Sequence, residues 1–193
     1  MMTLNEIMSC VEKGLMFGDG ETEVLGVSTD SRSIVAGDLF VALKGENFDG
    51  NQYLDTAKRA GAVAAISNVN LAEYNLAGIQ VSDTKIALGQ IAQAWRAKFD
   101  LPLIAITGSN GKTTVTQMVA SILRAYKKDA AVSTKGNFNN DIGVPKTLFH
   151  LTEHSEIGVI EMGMNHPGEI EYLAAIAQPT IALVNNAQRE HME

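Results

Sequence analysis

The stretch Leu103–Thr114, LIAITGSNGKTT, constrains the fold more than any other part of the chain. Leu103-Ile104-Ala105-Ile106 is a short apolar run ended by a glycine loop, the pattern of a strand buried on both faces of a parallel sheet. Beyond the loop, Val115, Met118, Val119, Ile122, Leu123 and Tyr126 recur at spacings of three, four and seven, which predicts an amphipathic helix packed through those residues. Strand, glycine loop and helix N-terminus form an anion cradle. The first-turn N–H groups have no intrahelical acceptor, and the helix dipole is positive there. Gly108, Ser109, Asn110 and Gly111 make the loop. Lys112 adds a mobile positive charge for β- and γ-phosphates, and the Thr113 hydroxyl, followed by Thr114, is placed to hold Mg2+. The loop reads G-x-x-G-K-T, because Ile106 stands where the longer form of the motif has its first glycine. A chance GKT is the bland alternative. Strand, loop and helix all fall where a phosphate loop needs them, which argues against it.

With 193 residues, 46% of them hydrophobic, the chain has material for one or two domains and a real core. The net charge of −7 argues against a nucleic-acid-binding surface, so an anionic nucleotide has to be met locally, by Lys112 and backbone N–H groups. The single cysteine, Cys10, excludes an internal disulfide and reads as a packed helix residue in a reducing cytoplasm. The opening MMTLNEIMSCVEKG lacks the basic start and apolar run of a signal peptide, and no later run is long enough to span a membrane. A cytoplasmic, monomeric chain without membrane insertion is the expectation.

Taken in order, Thr3 and Glu6 form a capping box for a first helix carrying Leu4, Ile7, Met8 and Val11 and ending near Gly14. Strands are expected over Thr22–Val27, Leu39–Leu43, Ala62–Ser67 and Gly78–Ser82, with a helix over Tyr53–Ala60. Asp83 or Thr84 caps a helix carrying Ile86, Leu88, Ile91, Trp95 and Phe99, the two aromatics being packing residues. Asp100-Leu101-Pro102 breaks that pattern and sets a domain boundary, giving domains 1–100 and 101–193. The second domain alternates strand and helix, with strands at Leu103–Ile106, Ala130–Ser133, Ile157–Glu161 and Thr180–Val184. The fold class is therefore α/β: a small N-terminal α/β domain, then a parallel-sheet phosphate-loop domain with helices on both faces. Ligands of such sheets bind at the carboxyl ends of the strands.

Candidate chemistry lies at those ends. Glu161 closes the third strand, where a second metal-binding oxygen would be needed; a solvated strand-end acid is the plain alternative. His191, in VNNAQREHME, follows the fourth strand, and by position alone it reads more readily as a surface histidine than as a functional one. Asn137, Asn139 and Asn140 either donate to a phosphate or amide or cap the next helix. His166 reads as a turn residue before Pro167, and His150 and His154 as exposed loop residues. Asp30 and Arg32 pair at a strand end, or Ser31 and its backbone read a ligand edge.

In this order, TGSNGKTT, GNFNNDIGVP, VIEMGMNHPGEI and VNNAQREHME resemble the Mur ligases of peptidoglycan synthesis, and most closely the member that adds D-alanyl-D-alanine. The short G-x-x-G-K-T loop is that family's own variant. STDSR, GDLFVALKG and Asp49-Gly50 resemble its uridine-nucleotide-binding domain, so the resemblance covers nearly the whole chain. It implies an ATP-dependent ligase. The carboxylate of UDP-N-acetylmuramoyl-tripeptide attacks the γ-phosphate of ATP, and the acyl phosphate is then attacked by the amine of D-alanyl-D-alanine. It further implies that Glu161 and His191 hold a second Mg2+, and that Asn137, Asn139 and Asn140 touch the nucleotide-sugar peptide. Thr29, Ser31 and the loop Lys44, Gly45, Glu46, Asn47 and Phe48 then surround the uridine diphosphate.

Two departures stand out. Asn51 occupies a position that is often histidine. The sequence also stops just after His191, where the family continues into a carbamylated lysine, adenine contacts and a further domain, so an inactive fragment is expected. Alternatives are the third-residue-adding member and a module that binds the UDP-sugar peptide without turnover. A generic phosphate-loop kinase or NTPase would leave the DSR and NNDIGVP segments unexplained.

Overall fold

The computed structural model describes residues 1–188. These form two compact units, Met1–Ile91 and Ala92 onward.

The first unit opens with β1 (Met2–Thr3) and α1 (Leu4–Cys10). The capping box is as expected: Glu6 N donates to Thr3 Oγ1 at 3.3 Å and Thr3 N to Glu6 Oε2 at 2.8 Å. The helix stops at Cys10, with Val11 already extended at its C-cap, short of the Gly14 end expected. The strand expected over Thr22–Val27 is two strands, β3 (Glu23–Val24) and β4 (Gly26–Ser28), after β2 (Leu15–Phe17). Exposed Leu25 separates them because the chain changes partner there: β3 pairs with β1 and β4 with β5 (Asp38–Val41). After α2 (Leu54–Ala60) come β6 (Ala64–Ser67) and β7 (Ala77–Gln80), giving a five-stranded sheet in the order β2-β7-β6-β5-β4. It is parallel except for β2, an edge strand too short for alternation to reveal. Phe40, Leu54, Ala57, Ala65 and Leu71 fill the core beside it.

Helix α3 (Thr84–Arg96) begins where Asp83 Oδ1 accepts from Lys85 N and Ile86 N at 2.8 and 3.0 Å. Leu88 and Ile91 are buried, but Ile86 is 49% exposed and lies off the packed face. The division between units falls inside this helix, ahead of the break expected at Asp100–Pro102. From Ala92 onward its residues belong to the second core: Ala92 is buried there and Phe99 packs on it. Trp95 meets Phe99 edge-on at 4.9 Å and donates Nε1–H to Leu151 O at 3.2 Å, so both aromatics are packing residues.

The second unit contains β8 (Leu103–Thr107), α4 (Lys112–Lys127), β9 (Ala131–Ser133), α5 (Gly143–Leu148), β10 (Ile157–Glu161), α6 (Glu169–Ala177) and β11 (Ile181–Val184). Its sheet is wholly parallel, in the order β11-β8-β10-β9. Strand period two puts Leu103, Ala105 and Ile160 on one face, against Val144 and Leu148 of α5 and Leu173 and Ile176 of α6. Ile106 and Val159 lie on the other, against Ala120 and Leu123 of α4. Both faces are thus covered, as the apolar run predicts. The face of α4 agrees with expectation in part: Val115, Val119 and Leu123 pack on the sheet as expected. Thr116, Ala120 and Leu123 are buried, whereas Met118, Ile122 and Tyr126 are 62, 67 and 75% exposed. Small Ala120 and Thr116 let the helix approach the sheet closely, a preference that a pattern of large apolar residues does not register. β8 lies between β10 and β11, so the chain leaves β8 in one direction and crosses back over it after β10. Gly108 and Glu161 therefore sit beside the point where the connections diverge.

Candidate functional site

Register brings the site together. Glu161 pairs with Ile106, so the carboxylate and the glycine loop leave adjacent strands at one level. Glu161 is 1% exposed. Its Oε1 accepts from Thr113 Oγ1 at 3.0 Å and from Asn139 Nδ2 at 2.8 Å, while its own N–H donates to the buried Thr134 Oγ1 at 2.9 Å. Oε2 is buried and has no hydrogen-bond partner among the described residues. An isolated buried carboxylate oxygen costs several kcal/mol to desolvate unless a cation or donor meets it.

Gly108 and Gly111 have φ of +139° and +75°, conformations that side-chain-bearing residues rarely adopt. Lys112 Nζ donates to Gly108 O at 2.7 Å and Ser109 O at 2.8 Å, curling over the loop it follows. Gly111 is the N-cap of α4, and the first-turn N–H groups of Lys112, Thr113 and Thr114 have no intrahelical acceptors. Two clefts flank Lys112. One, of about 550 Å³, is lined by Asn139, Asn140, Asp141, Gly163 and Tyr172 among others. The other, of about 520 Å³, runs past Gly108, Ser109, Ile170, Val184 and Asn186. The turn Met164–Pro167, His166 included, borders both. Glu169 Oε2 holds that turn by accepting from Asn165 N and His166 N at 2.6 and 3.2 Å.

The expected residues separate into groups. Gly108–Thr114, Glu161 and Asn139 converge. Asn140 borders the first cleft and also caps α5, its Oδ1 accepting from Gly143 N at 2.8 Å and Ile142 N at 3.2 Å, so both readings of it hold. Asn137 is exposed and contributes its carbonyl, which accepts from Asn139 N at 2.8 Å. His191 lies outside the described residues. Among those described, no three or more His, Cys, Asp or Glu side chains cluster as a metal site.

Thr29, Ser31 and Lys44–Phe48 belong to the first unit. The Asp30–Arg32 pair expected from sequence is present at 2.7 Å and well exposed, so it contributes little stability. Lys44–Phe48 is an exposed loop pinned at its base by Gly50 N donating to Leu43 O at 2.8 Å and by Lys44 facing Asp49 at 3.6 Å. Phe48 stacks on Tyr53 at 5.7 Å, both rings largely exposed. The backbone and side-chain amides of Asn51, then Lys44, hold the Asp49 carboxyl below its ordinary range. Asn51 is buried and fully engaged, donating to Asp49 Oδ1 and Asn68 Oδ1, both at 2.6 Å, and accepting from Ser67 Oγ at 2.9 Å.

Sequence reading placed Thr134, Asn185, Asn186 and Gln188 at the ligand edge of the sheet but gave none of them a role. The last three lie in the VNNAQ segment, at the ligand edge of a fourth parallel strand, and that position was the available signal.

Comparison with known proteins finds two family matches along the chain. Residues 106–193 match the Mur ligase middle domain, and residues 23–96 match the model described as Mur ligase family, catalytic domain. The chain is 46% identical over 180 residues to UDP-N-acetylmuramoyl-tripeptide--D-alanyl-D-alanine ligase of Haemophilus influenzae, an alignment covering 92% of this chain and 39% of that protein. To the Escherichia coli protein of the same name it is 44% identical over 167 residues, covering 86% of this chain and 36% of the relative. Among solved structures it resembles MurF from Acinetobacter baumannii, with TM-score 0.85 and 37% identity over 94% of this chain and 40% of that one. It also resembles MurF ligase from Thermotoga maritima in complex with ADP, with TM-score 0.73 and 32% identity over 86% of this chain and 38% of that one. The chain thus spans about two fifths of the length of these relatives. Both halves match in order, and the chain belongs to the Mur ligase family.

Proposed function

We propose that this chain supplies the nucleotide-phosphate site of an ATP-dependent ligase that joins D-alanyl-D-alanine to UDP-N-acetylmuramoyl-tripeptide in the cytoplasm. The observation that carries the reading is the convergence of Lys112, Thr113, Asn139 and buried Glu161 at the strand edge of a phosphate loop. Relatives bearing that activity's name, and a structural neighbour described with ADP, support it.

The residues fit a magnesium ion. Oε2 of Glu161 is an orphaned hard oxygen beside the Thr113 hydroxyl, and Mg2+ takes one or two protein oxygens with waters and phosphate oxygens completing its shell. When bound there, the metal would neutralise charge on the phosphates and on an approaching carboxylate. The chain's own groups do the rest. First-turn N–H groups of α4 and the Lys112 ammonium meet the phosphates, lowering the repulsion that separates a carboxylate from a triphosphate. Asn139 holds Glu161 Oε1 from the side, fixing the carboxylate's direction while its amide edge borders the larger cleft. That cleft suits the peptide end of the nucleotide sugar, and its Asn139–Asn140 wall supplies donors and acceptors for amides. His191 is the second metal-side residue in this reading. Thr29, Ser31 and Lys44–Phe48 receive the uridine diphosphate, where the Phe48–Tyr53 stack offers an aromatic face.

The test is ADP release in the protein carrying this sequence, with ATP, Mg2+, UDP-N-acetylmuramoyl-tripeptide and either D-alanyl-D-alanine or single amino acids. Release that requires the dipeptide, and that falls on the order of 10²-fold or more in Lys112→Ala, is expected. Near-normal release in Lys112→Ala, or preference for a single amino acid, would overturn the assignment.

A further inference from the structure

The glycine loop is held from the neighbouring strand by a set of bonds that anion binding alone does not call for. The β8–β11 ladder continues past the strands, with Asn185 N donating to Thr107 O at 2.8 Å. From that fixed backbone, Asn185 Nδ2 and Asn186 Nδ2 both donate to Asn110 O, at 2.7 and 3.1 Å. Asn186 also accepts twice, its carbonyl from Ser109 N at 3.1 Å and its Oδ1 from Asn110 N at 2.9 Å. Gln188 closes the set, its N–H donating to Ser109 Oγ at 2.7 Å and its carbonyl accepting from the same hydroxyl at 2.9 Å.

We infer that Asn185 and Asn186 are positioning residues that lock the loop Gly108–Gly111 in its phosphate-accepting shape. The inference rests on the phosphate-cradle reading above. Both lone pairs of Asn110 O are occupied, which turns away from the cradle a carbonyl that would repel an anion. The N–H groups of Ser109 and Asn110 are occupied too, so phosphates on this loop are met mainly at its helix end, by Lys112 and the first turn of α4. Both glycines fit the same device. A Cβ at Gly108 would stand 2.9 Å from Asn186 N and O, and one at Gly111 would stand 2.9 Å from Asn185 Nδ2. The loop therefore lacks side chains at the two points where the asparagines approach it. The Asn186 carboxamide donates from Nδ2 and accepts at Oδ1 at once. Aspartate would lose the donor and set a negative charge beside the phosphates.

The test uses the 193-residue chain, with Mg2+ and ADP as the probe. Amide hydrogen exchange of Asn110 is measured beside ADP affinity in wild type, Asn186→Ala, Asn186→Leu, Asn185→Ala, the double alanine variant and Lys112→Ala. Expected are a protected Asn110 amide in wild type and its loss of protection in Asn186→Ala and Asn186→Leu. ADP affinity should weaken roughly tenfold or more, about the loss of one to two hydrogen bonds. Exchange in β8 and β10 should stay unchanged, which a merely structural role would not leave intact. An unprotected Asn110 amide in wild type, or double-variant affinity within about twofold of wild type, would overturn the inference. Should the double variant not fold, the single variants decide by the same two readouts. If Lys112→Ala binds ADP as wild type does, the cradle reading fails, and the exchange of Asn110 still decides the asparagine lock on its own.

Discussion

Glu161 illustrates how one side chain can be costly to the fold and useful to the site. One oxygen is well bonded to Thr113 and Asn139; the other is buried with no partner among the described residues. Glu161→Gln keeps an acceptor for Thr113 and Asn139 and removes the charge. Thermal unfolding without metal should then occur at the wild-type temperature or above it, because replacing an uncompensated buried charge by a neutral group of the same shape removes its desolvation cost. Mg2+ titrations of nucleotide binding should shift upward by about tenfold or more in the same variant. A large loss of stability with an unchanged Mg2+ requirement would mean that Glu161 is structural. Its position at a strand end in VIEMG is visible in sequence; its burial is not, because burial depends on Thr134 and Asn139 folding over it from another connection.

At the scale of elements, Arg96 ties helix ends together. Buried at the end of α3, its guanidinium donates to Ala177 O at 3.0 Å, Gln178 O at 3.3 Å, Leu101 O at 3.3 Å and Phe99 O at 2.5 Å. It satisfies carbonyls at the C-terminus of α6, where a cation also favours the helix dipole, and burial lowers its pKa from the free value while leaving it charged. Arg96→Met should destabilise the second unit by about 2–4 kcal/mol, read as a lowered unfolding temperature, since four carbonyls lose their donor. A change under about 0.5 kcal/mol would show that water replaces the guanidinium. Helix α4 gives the opposite contrast. Ile122→Lys, on its exposed face, should change stability by less than about 0.5 kcal/mol, while Leu123→Ala should cost about 2–3 kcal/mol. Sequence periodicity locates this helix and half of its packed face, Val115, Val119 and Leu123, but adds Met118, Ile122 and Tyr126 in place of Thr116 and Ala120, because large apolar residues outvote small ones in a hydrophobic pattern. The Arg96 tie leaves no sequence signal, since its partners are main-chain carbonyls far along the chain.

For the molecule as a whole, strand–helix alternation made the second unit's parallel sheet legible, and Asp83 and Thr3 marked two helix starts by their capping chemistry. The strand order and the two-stranded β1–β3 pair were not legible, because pairing partners and two-residue strands carry no periodic signal. Among the described residues β11 pairs only with β8, and Ile181, Leu183 and Val184 are 53, 41 and 63% exposed. An apolar parallel edge is adhesive, so the 193-residue chain should self-associate with rising concentration in sedimentation, and Leu183→Lys should reduce this; concentration-independent monomers would contradict it. No helix of the described residues is long and apolar enough to cross a membrane. The central claim, that phosphates of ATP lie on Gly108–Thr114 with magnesium at Glu161, is tested most directly by amide NMR of the chain titrated with ATP, with and without Mg2+. The account predicts shifts concentrated at Gly108–Thr114, Asn139 and Glu161, strengthened by Mg2+ and abolished in Lys112→Ala. Saturable binding whose shifts leave that loop untouched would contradict it.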